Sequence, residues 1–155
     1  MSKNLYVVIG LPGSGKSTYL KEHFNDSYII SRDDIRLELI GESSKYFEKE
    51  QEVFNEFVYR IQTALDKNDK NVIADATHIN QKSRNKLLNK MKLKDVKIHI
   101  LFINTPLERC LERNNNRDEI ERLPDKVIYD FYQRLELPSH NEKYKYLSII
   151  EVKNY

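Results

Sequence analysis

Along the 155 residues two spacings of apolar positions alternate. Short, nearly continuous apolar runs lie at 5–9, 28–30, 71–75, 96–103 and 146–152, each bounded by polar or turn-forming residues. These read as strands. Between them the apolar residues recur every three or four positions, the helical spacing. One such stretch follows the first strand at 19–24. A second opens at Ser31, where Ser31 and Asp34 make a variant capping box. A third covers 44–66, with Tyr46 and Phe47 preceding a stripe of Phe54, Phe57, Val58, Ile61 and Leu65. A fourth runs over 81–91 with Leu87, Leu88 and Met91 inward. A fifth is predicted with Thr105 as N-cap and Pro106 at its first position. A sixth opens at Pro124, buries Val127, Ile128, Phe131 and Leu135, and stops at Leu137-Pro138.

Five strands, each pair separated by helical sequence, predict an α/β domain: a five-stranded parallel sheet with helices on both faces. Residues 96–103 are apolar throughout their second half, as a central strand requires. Within that strand His99 alternates with Ile98 and Ile100 and so falls on the less buried face. No repeat, linker or low-complexity tract interrupts the chain, and a single domain over 1–155 is expected.

Charged residues make up 32% of the chain, yet the net charge is only +2. A nucleic-acid-binding domain is usually far more basic, although a local groove stays open to it. The one cysteine, Cys110, excludes an intramolecular disulfide and points to a reducing, cytoplasmic setting. Flanked by Leu107 and Leu111, it reads as a buried structural thiol. No apolar run has the length of a membrane span, and the first strand begins so early that no leader peptide is expected.

Gly10-Leu11-Pro12-Gly13-Ser14-Gly15-Lys16-Ser17-Thr18 changes the picture most. It fits G-x-x-x-x-G-K-[ST], the P-loop, with a strand before it and a helix after it. In such a loop Gly13, Ser14, Gly15 and Thr18 offer backbone amides to phosphate oxygens. Lys16 reaches the β- and γ-phosphates of ATP, and the Ser17 hydroxyl ligates Mg²⁺. Further candidates lie at the carboxyl ends of the following strands, where open α/β sheets place their sites. Asp33 and Arg36 share one face of a helix's first turn. Asp75 ends an apolar run in the Walker-B manner and is a candidate Mg²⁺ residue. The loop after it, with Thr77 and His78, lies at the same sheet edge. His78 reads as a polar surface residue, with substrate contact the alternative. Arg109, Arg113 and Arg117 are four apart, and Asn114-Asn115-Asn116 should fray the helix that carries them. An arginine-bearing flap over about 113–123 is what a phosphotransferase lid needs.

Taken in order, the P-loop, Ser31-Arg32-Asp33-Asp34-Ile35-Arg36, Ala74-Asp75-Ala76-Thr77-His78-Ile79-Asn80 and Arg113-Asn114-Asn115-Asn116-Arg117 resemble the kinase domain of phage-type polynucleotide 5′-hydroxyl kinases. The resemblance extends to about Leu135. It implies the P-loop kinase fold with sheet order 2-3-1-4-5, and ATP and Mg²⁺ as cofactors. It implies transfer of the γ-phosphate to 5′-hydroxyl ends of DNA or RNA. Asp33 then matches the general base, and Arg36 the residue holding the phosphate of the acceptor's terminal nucleotide. Thr77 falls in the acceptor loop, Arg117 matches the lid arginine on the transferred phosphate, and Arg113 lies near the ATP. The resemblance further suggests that only the terminal one or two nucleotides are gripped. In one respect the sequence departs from the family. The functional aspartate that stands directly before the loop threonine is here Ala76, with Asp75 one residue earlier, and such a shift turns a side chain to the other face of a strand. There is also no room for the phosphatase domain that many of these enzymes carry. A kinase for a small molecule, nucleoside or modified base shares every ATP-site residue and is the alternative. An ATP-binding switch without an acceptor is a more distant one, and Asp33 speaks against it.

Overall fold

The computed structural model describes residues 3–41, 48–78, 80–119, 121–138 and 147–153. The chain runs β1 (Lys3–Ile9), α1 (Lys16–His23), β2 (Tyr28–Ser31), α2 (Arg32–Ile40), α3 (Glu50–Lys67), β3 (Val72–Asp75), α4 (Gln81–Leu88), β4 (Val96–Asn104), α5 (Leu107–Asn115), α6 (Asp125–Arg134) and β5 (Leu147–Lys153). All strand pairs are parallel, in the order β2-β3-β1-β4-β5. The five strands and the sheet order are as expected.

Alternation along β1 explains the two layers of helices. Leu5 and Val7 face one side with Val72, Ala74 and Ile98, under Ile35 of α2, Phe57 and Ile61 of α3 and Leu87 of α4. Tyr6 and Val8 face the other side with Ile73, Leu101 and Ile103, under Leu20 of α1. The stripe predicted for α3 is the centre of the first layer, since Phe57 and Ile61 are fully buried. Truncating such a phenylalanine to alanine costs about 3–5 kcal/mol. Cys110 is buried with Leu11 and Ile128 under α5 and α6, and burial pushes its thiol pKa up.

Two local expectations are corrected. α5 is capped by Pro106 rather than Thr105, because the Thr105 hydroxyl donates to the Ser14 carbonyl of the P-loop at 2.6 Å. α3 begins at Glu50, and residues 44–47 of its predicted span lie outside the described residues. α5 stops at Asn115, where the run Asn114-Asn115-Asn116 is expected to fray it; Arg109 is exposed to solvent and Arg117 lies beyond the helix. Among the described residues no helix is long and apolar enough to cross a membrane.

Candidate active site

The site lies at the carboxyl ends of β1, β2 and β3. The parallel register brings Val8, Ser31 and Asp75 side by side, and the loops leaving these strands meet. The Gly10 amide donates to the Thr77 carbonyl at 3.3 Å, joining the P-loop to the loop after β3. Gly13 and Gly15 have φ of 81° and 91°, the left-handed region where a side chain is strained. Gly13 is doubly constrained, since a Cβ there would run into the Cys110 carbonyl. Lys16 starts α1 with Gly15 as N-cap, so the helix N-terminus opens into the loop.

Two cavities of about 200 Å³ each result. Gly13, Gly15, Lys16, Ser17 and Thr18 line the first, together with Asp33, Asp75, Arg113 and Arg117. Lys16 is buried and its ammonium donates to the Leu11 carbonyl at 3.3 Å, lying across its own loop. The Ser14 hydroxyl is buried without a hydrogen-bond partner. Asp75 is 5% exposed, and burial pushes its carboxyl up to about 6 against the pull of the Lys16 ammonium. Hydroxyl and carboxylate oxygens, from Ser17 and Asp75, are the donors that a hard divalent cation takes. The open glycine cradle, the buried lysine and this oxygen pair together fit a magnesium nucleotide.

The second cavity is framed by α2, the loop after β3, α4 and α6, and its lining includes Asp33, Arg36, Thr77 and His78. Ser31 caps α2 by accepting from the Asp34 amide at 3.2 Å, which sets Asp33 and Arg36 in the first turn and the one after it. They pair at 2.6 Å. Arg36 also holds Glu50 through two nitrogens, at 2.7 and 3.2 Å, and Arg32 joins the same carboxylate at 3.0 Å. Arg36 is thus shared between two carboxylates.

His78 differs most from its sequence reading. It is 4% exposed rather than a surface residue, with φ of 43°. Its Nδ1 lies 2.8 Å from the Val8 carbonyl oxygen. A carbonyl only accepts, so the ring carries its proton on Nδ1. Burial pushes its pKa down to about 3, and the ring is neutral. The buried Arg84 donates to the His78 carbonyl at 2.8 Å and so fixes the loop from behind.

Of the residues singled out in the sequence, Asp33 alone joins the linings of both cavities; Arg36, Thr77 and His78 belong to the second, Gly13, Gly15, Lys16, Ser17, Thr18, Asp75, Arg113 and Arg117 to the first, Ser14 is buried in the loop, and Arg109 lies in neither lining. Arg32, Glu50, His78 and Phe131 also line the second cavity, and sequence reasoning gave them no role there or only a lesser one. Asn114 was likewise missed as more than a poor helix former. It is fully buried and its amide pairs both ways with Leu123, donating to the carbonyl at 2.7 Å and accepting from the amide at 3.1 Å. Local spacing signals neither role, since Glu50 meets Arg36 across 14 residues and Asn114 acts on a backbone nine residues on.

A parallel sheet in this order, with a phosphate loop between β1 and α1, defines a kinase-type P-loop nucleotide-binding domain. The chain belongs to the AAA_33 family, described as an AAA domain, whose model matches residues 5–138. It is similar to an L-seryl-tRNA(Sec) kinase of Methanococcus maripaludis, 32% identical over 141 residues covering 86% of this chain and 53% of that protein. It therefore spans about half the length of this curated relative. Among solved structures it resembles a chain of the Pnkp1/Rnl/Hen1 RNA repair complex, at TM-score 0.70 and 26% identity over 86% of this chain and 44% of that one. A gluconokinase from Sinorhizobium meliloti 1021 shares the fold, at TM-score 0.63 and 18% identity over 98% of this chain and 84% of the other.

Proposed function

We propose that this domain is an ATP-dependent kinase that transfers the γ-phosphate to a hydroxyl of a nucleic-acid acceptor, the 5′-hydroxyl of a DNA or RNA end. The observation that carries this reading is the position of Asp33, whose carboxylate borders both cavities. A general base for an in-line transfer has to stand between donor and acceptor. Here it is held by Arg36 at 2.6 Å. The hydroxyl gives its proton to Asp33 as its oxygen bonds to the γ-phosphorus, and the bond to the β,γ-bridging oxygen breaks, leaving ADP. Bound Mg²⁺ supplies charge neutralisation on the triphosphate, with Ser17 and Asp75 as its protein partners. Lys16 leaves the Leu11 carbonyl for the phosphates. Arg113 and Arg117 offset charge on the group in transfer. Thr77 and Arg36 face the acceptor, with Arg36 orienting the base and exchanging Glu50 for an acceptor phosphate.

Support for a nucleic-acid acceptor comes from the relatives whose names refer to tRNA and to RNA repair. The 32% identity to the seryl-tRNA(Sec) kinase favours a second reading, in which the hydroxyl belongs to a seryl group carried on a tRNA. Both readings need the same base and the same phosphate loop. A labelled-ATP transfer assay across 5′-hydroxyl oligonucleotides, seryl-tRNA, nucleosides and sugars separates them. Label on the oligonucleotide end is expected. Label only on seryl-tRNA selects the second reading, and label only on a sugar or nucleoside overturns both.

A further inference from the structure

The net charge of +2 conceals a strong segregation. Residues 81–94, which comprise α4 and the turn after it, contain Lys82, Arg84, Lys86, Lys90, Lys92 and Lys94 and no acidic residue. Six positive charges here against a whole-chain balance of +2 leave everything else at −4. Arg84 is buried under the loop after β3, whereas the five lysines are exposed. Among the described residues no carboxylate pairs with Lys82, Lys86 or Lys90. The Lys86 ammonium instead lies over the Phe54 ring at 4.5 Å.

Gln81, Lys82, Asn85, Lys86, Asn89 and Glu136 line a shallow, wide-open groove of about 540 Å³. The groove adjoins the acceptor cavity directly, because Asn80 and Ser83 line that cavity while Gln81 and Lys82 begin the groove. Asn80 and Ser83 cap each other reciprocally, which fixes the start of α4 at this junction. From there Lys82 and Lys86 follow on α4 four residues apart, about 6 Å of helix rise, and Lys90 lies in the turn after the helix. That spacing suits successive phosphates of an extended single strand, and the amides between them offer hydrogen bonds to sugars and bases.

We propose that the exposed face of α4 is a docking track for the acceptor strand, gripping the phosphates behind the terminal nucleotide as the chain leaves the cavity. The proposal rests on the nucleic-acid reading of the acceptor and extends it. The grip reaches beyond the terminal one or two nucleotides that the sequence resemblance suggested. Glu136 is the one acidic residue in the lining, and its carbonyl accepts from Arg84 of α4 at 3.3 Å.

The test uses the whole chain and a Lys82→Gln, Lys86→Gln, Lys90→Gln triple variant, with native circular dichroism as the folding control. Binding of a fluorescent 5′-hydroxyl hexanucleotide is read by anisotropy against salt, without ATP. Loss of three contacts should flatten the log–log slope by about 2, at about 0.7 per phosphate contact on a single strand. Phosphorylation of a nucleoside 3′-phosphate, which reaches only the cavity, should stay at the wild-type rate. The fall in KM from dinucleotide to hexanucleotide should disappear. A triple variant with wild-type slope and wild-type length dependence overturns the track and leaves the kinase reading standing. Wild-type protein that transfers phosphate to no oligonucleotide overturns the 5′-hydroxyl reading, while the slope measurement still decides the track. Equal binding of a polyglutamate peptide and the hexanucleotide would assign the face to an acidic protein partner instead.

Discussion

The cavity at the P-loop and the cavity beside it are equal in volume and differ in what makes their walls. On its P-loop side the first is bounded by backbone, with Asp33, Asp75, Arg113 and Arg117 completing the lining. Glycines with positive φ, a helix N-terminus and a Cys110 carbonyl that leaves no space for a Cβ fix its shape. The second is bounded by side chains held by one another: Asp33 on Arg36, Arg36 and Arg32 on Glu50, and His78 on the Val8 carbonyl. A wall of backbone admits one ligand geometry, because its donors cannot be exchanged. A wall of exchangeable ion pairs can be altered residue by residue while the sheet beneath is unchanged.

Substitutions can break or sharpen this contrast. The largest effect is expected from the first wall. Lys16→Ala should abolish phosphoryl transfer with native circular dichroism, because in the proposed reaction its partners are phosphates, while among the described residues its hydrogen bond is to the Leu11 carbonyl at 3.3 Å. Near-normal turnover would remove the P-loop from the reaction. Arg117→Ala follows, with kcat lowered about 10³-fold or more, the contribution of an arginine acting on the transferring group. Single-turnover rates measure it, and a change confined to the KM for ATP would make the residue a nucleotide ligand only.

On the second wall, Asp33→Asn should keep ATP binding and lower kcat about 10²–10⁴-fold, checked by calorimetry for ATP alongside the transfer rate. Arg36→Ala should raise the acceptor KM, most for acceptors with a terminal 3′-phosphate. It should lower kcat less, through the loosened Asp33. An effect on the KM for ATP alone would contradict the contrast between the two walls.

The smallest effect is one of pH. His78 is depressed to about 3 in the folded chain by burial, against an ordinary value of 6.5. The unfolded chain therefore binds a proton that the folded chain refuses, and stability contributed by the neutral ring is lost as pH falls from about 6.5 toward 3. The His78→Gln protein should show a shallower decline in melting temperature over that window. An identical decline in both proteins would mean that other groups carry it.

What could be read in the sequence follows the same line. The P-loop was legible because its requirements are local: three glycines, a lysine and a serine at fixed spacing between a strand and a helix. The same holds for the α3 stripe and for the Ser31 cap that sets Asp33 and Arg36 on one face. Thr105 misled because its hydroxyl bonds the Ser14 carbonyl, 91 residues away, in preference to its own helix. His78 misled because a histidine in a polar loop is normally solvated, and only the fold places it between Val8 and Phe57. Glu50 carries no sequence signal, since its partners lie in a different helix. The sheet order could not be read from spacing at all and came from family resemblance.

Asn114 has a further consequence, for engineering. α5 is fastened to the P-loop at its start, through Thr105 on the Ser14 carbonyl and the Cys110 backbone against Gly13, and is latched at its end by Asn114 on Leu123. Asn114 therefore acts as a clasp on the arc between α5 and Leu123, whose described residues also carry turn hydrogen bonds from Glu121 and Arg122 to the Asp118 carbonyl. Within such a closed arc, doubling the length costs only about 0.6 kcal/mol of closure entropy. Residues could be added beyond Arg117, or a reporter peptide grafted there, without disturbing the phosphate loop, provided that the clasp is kept.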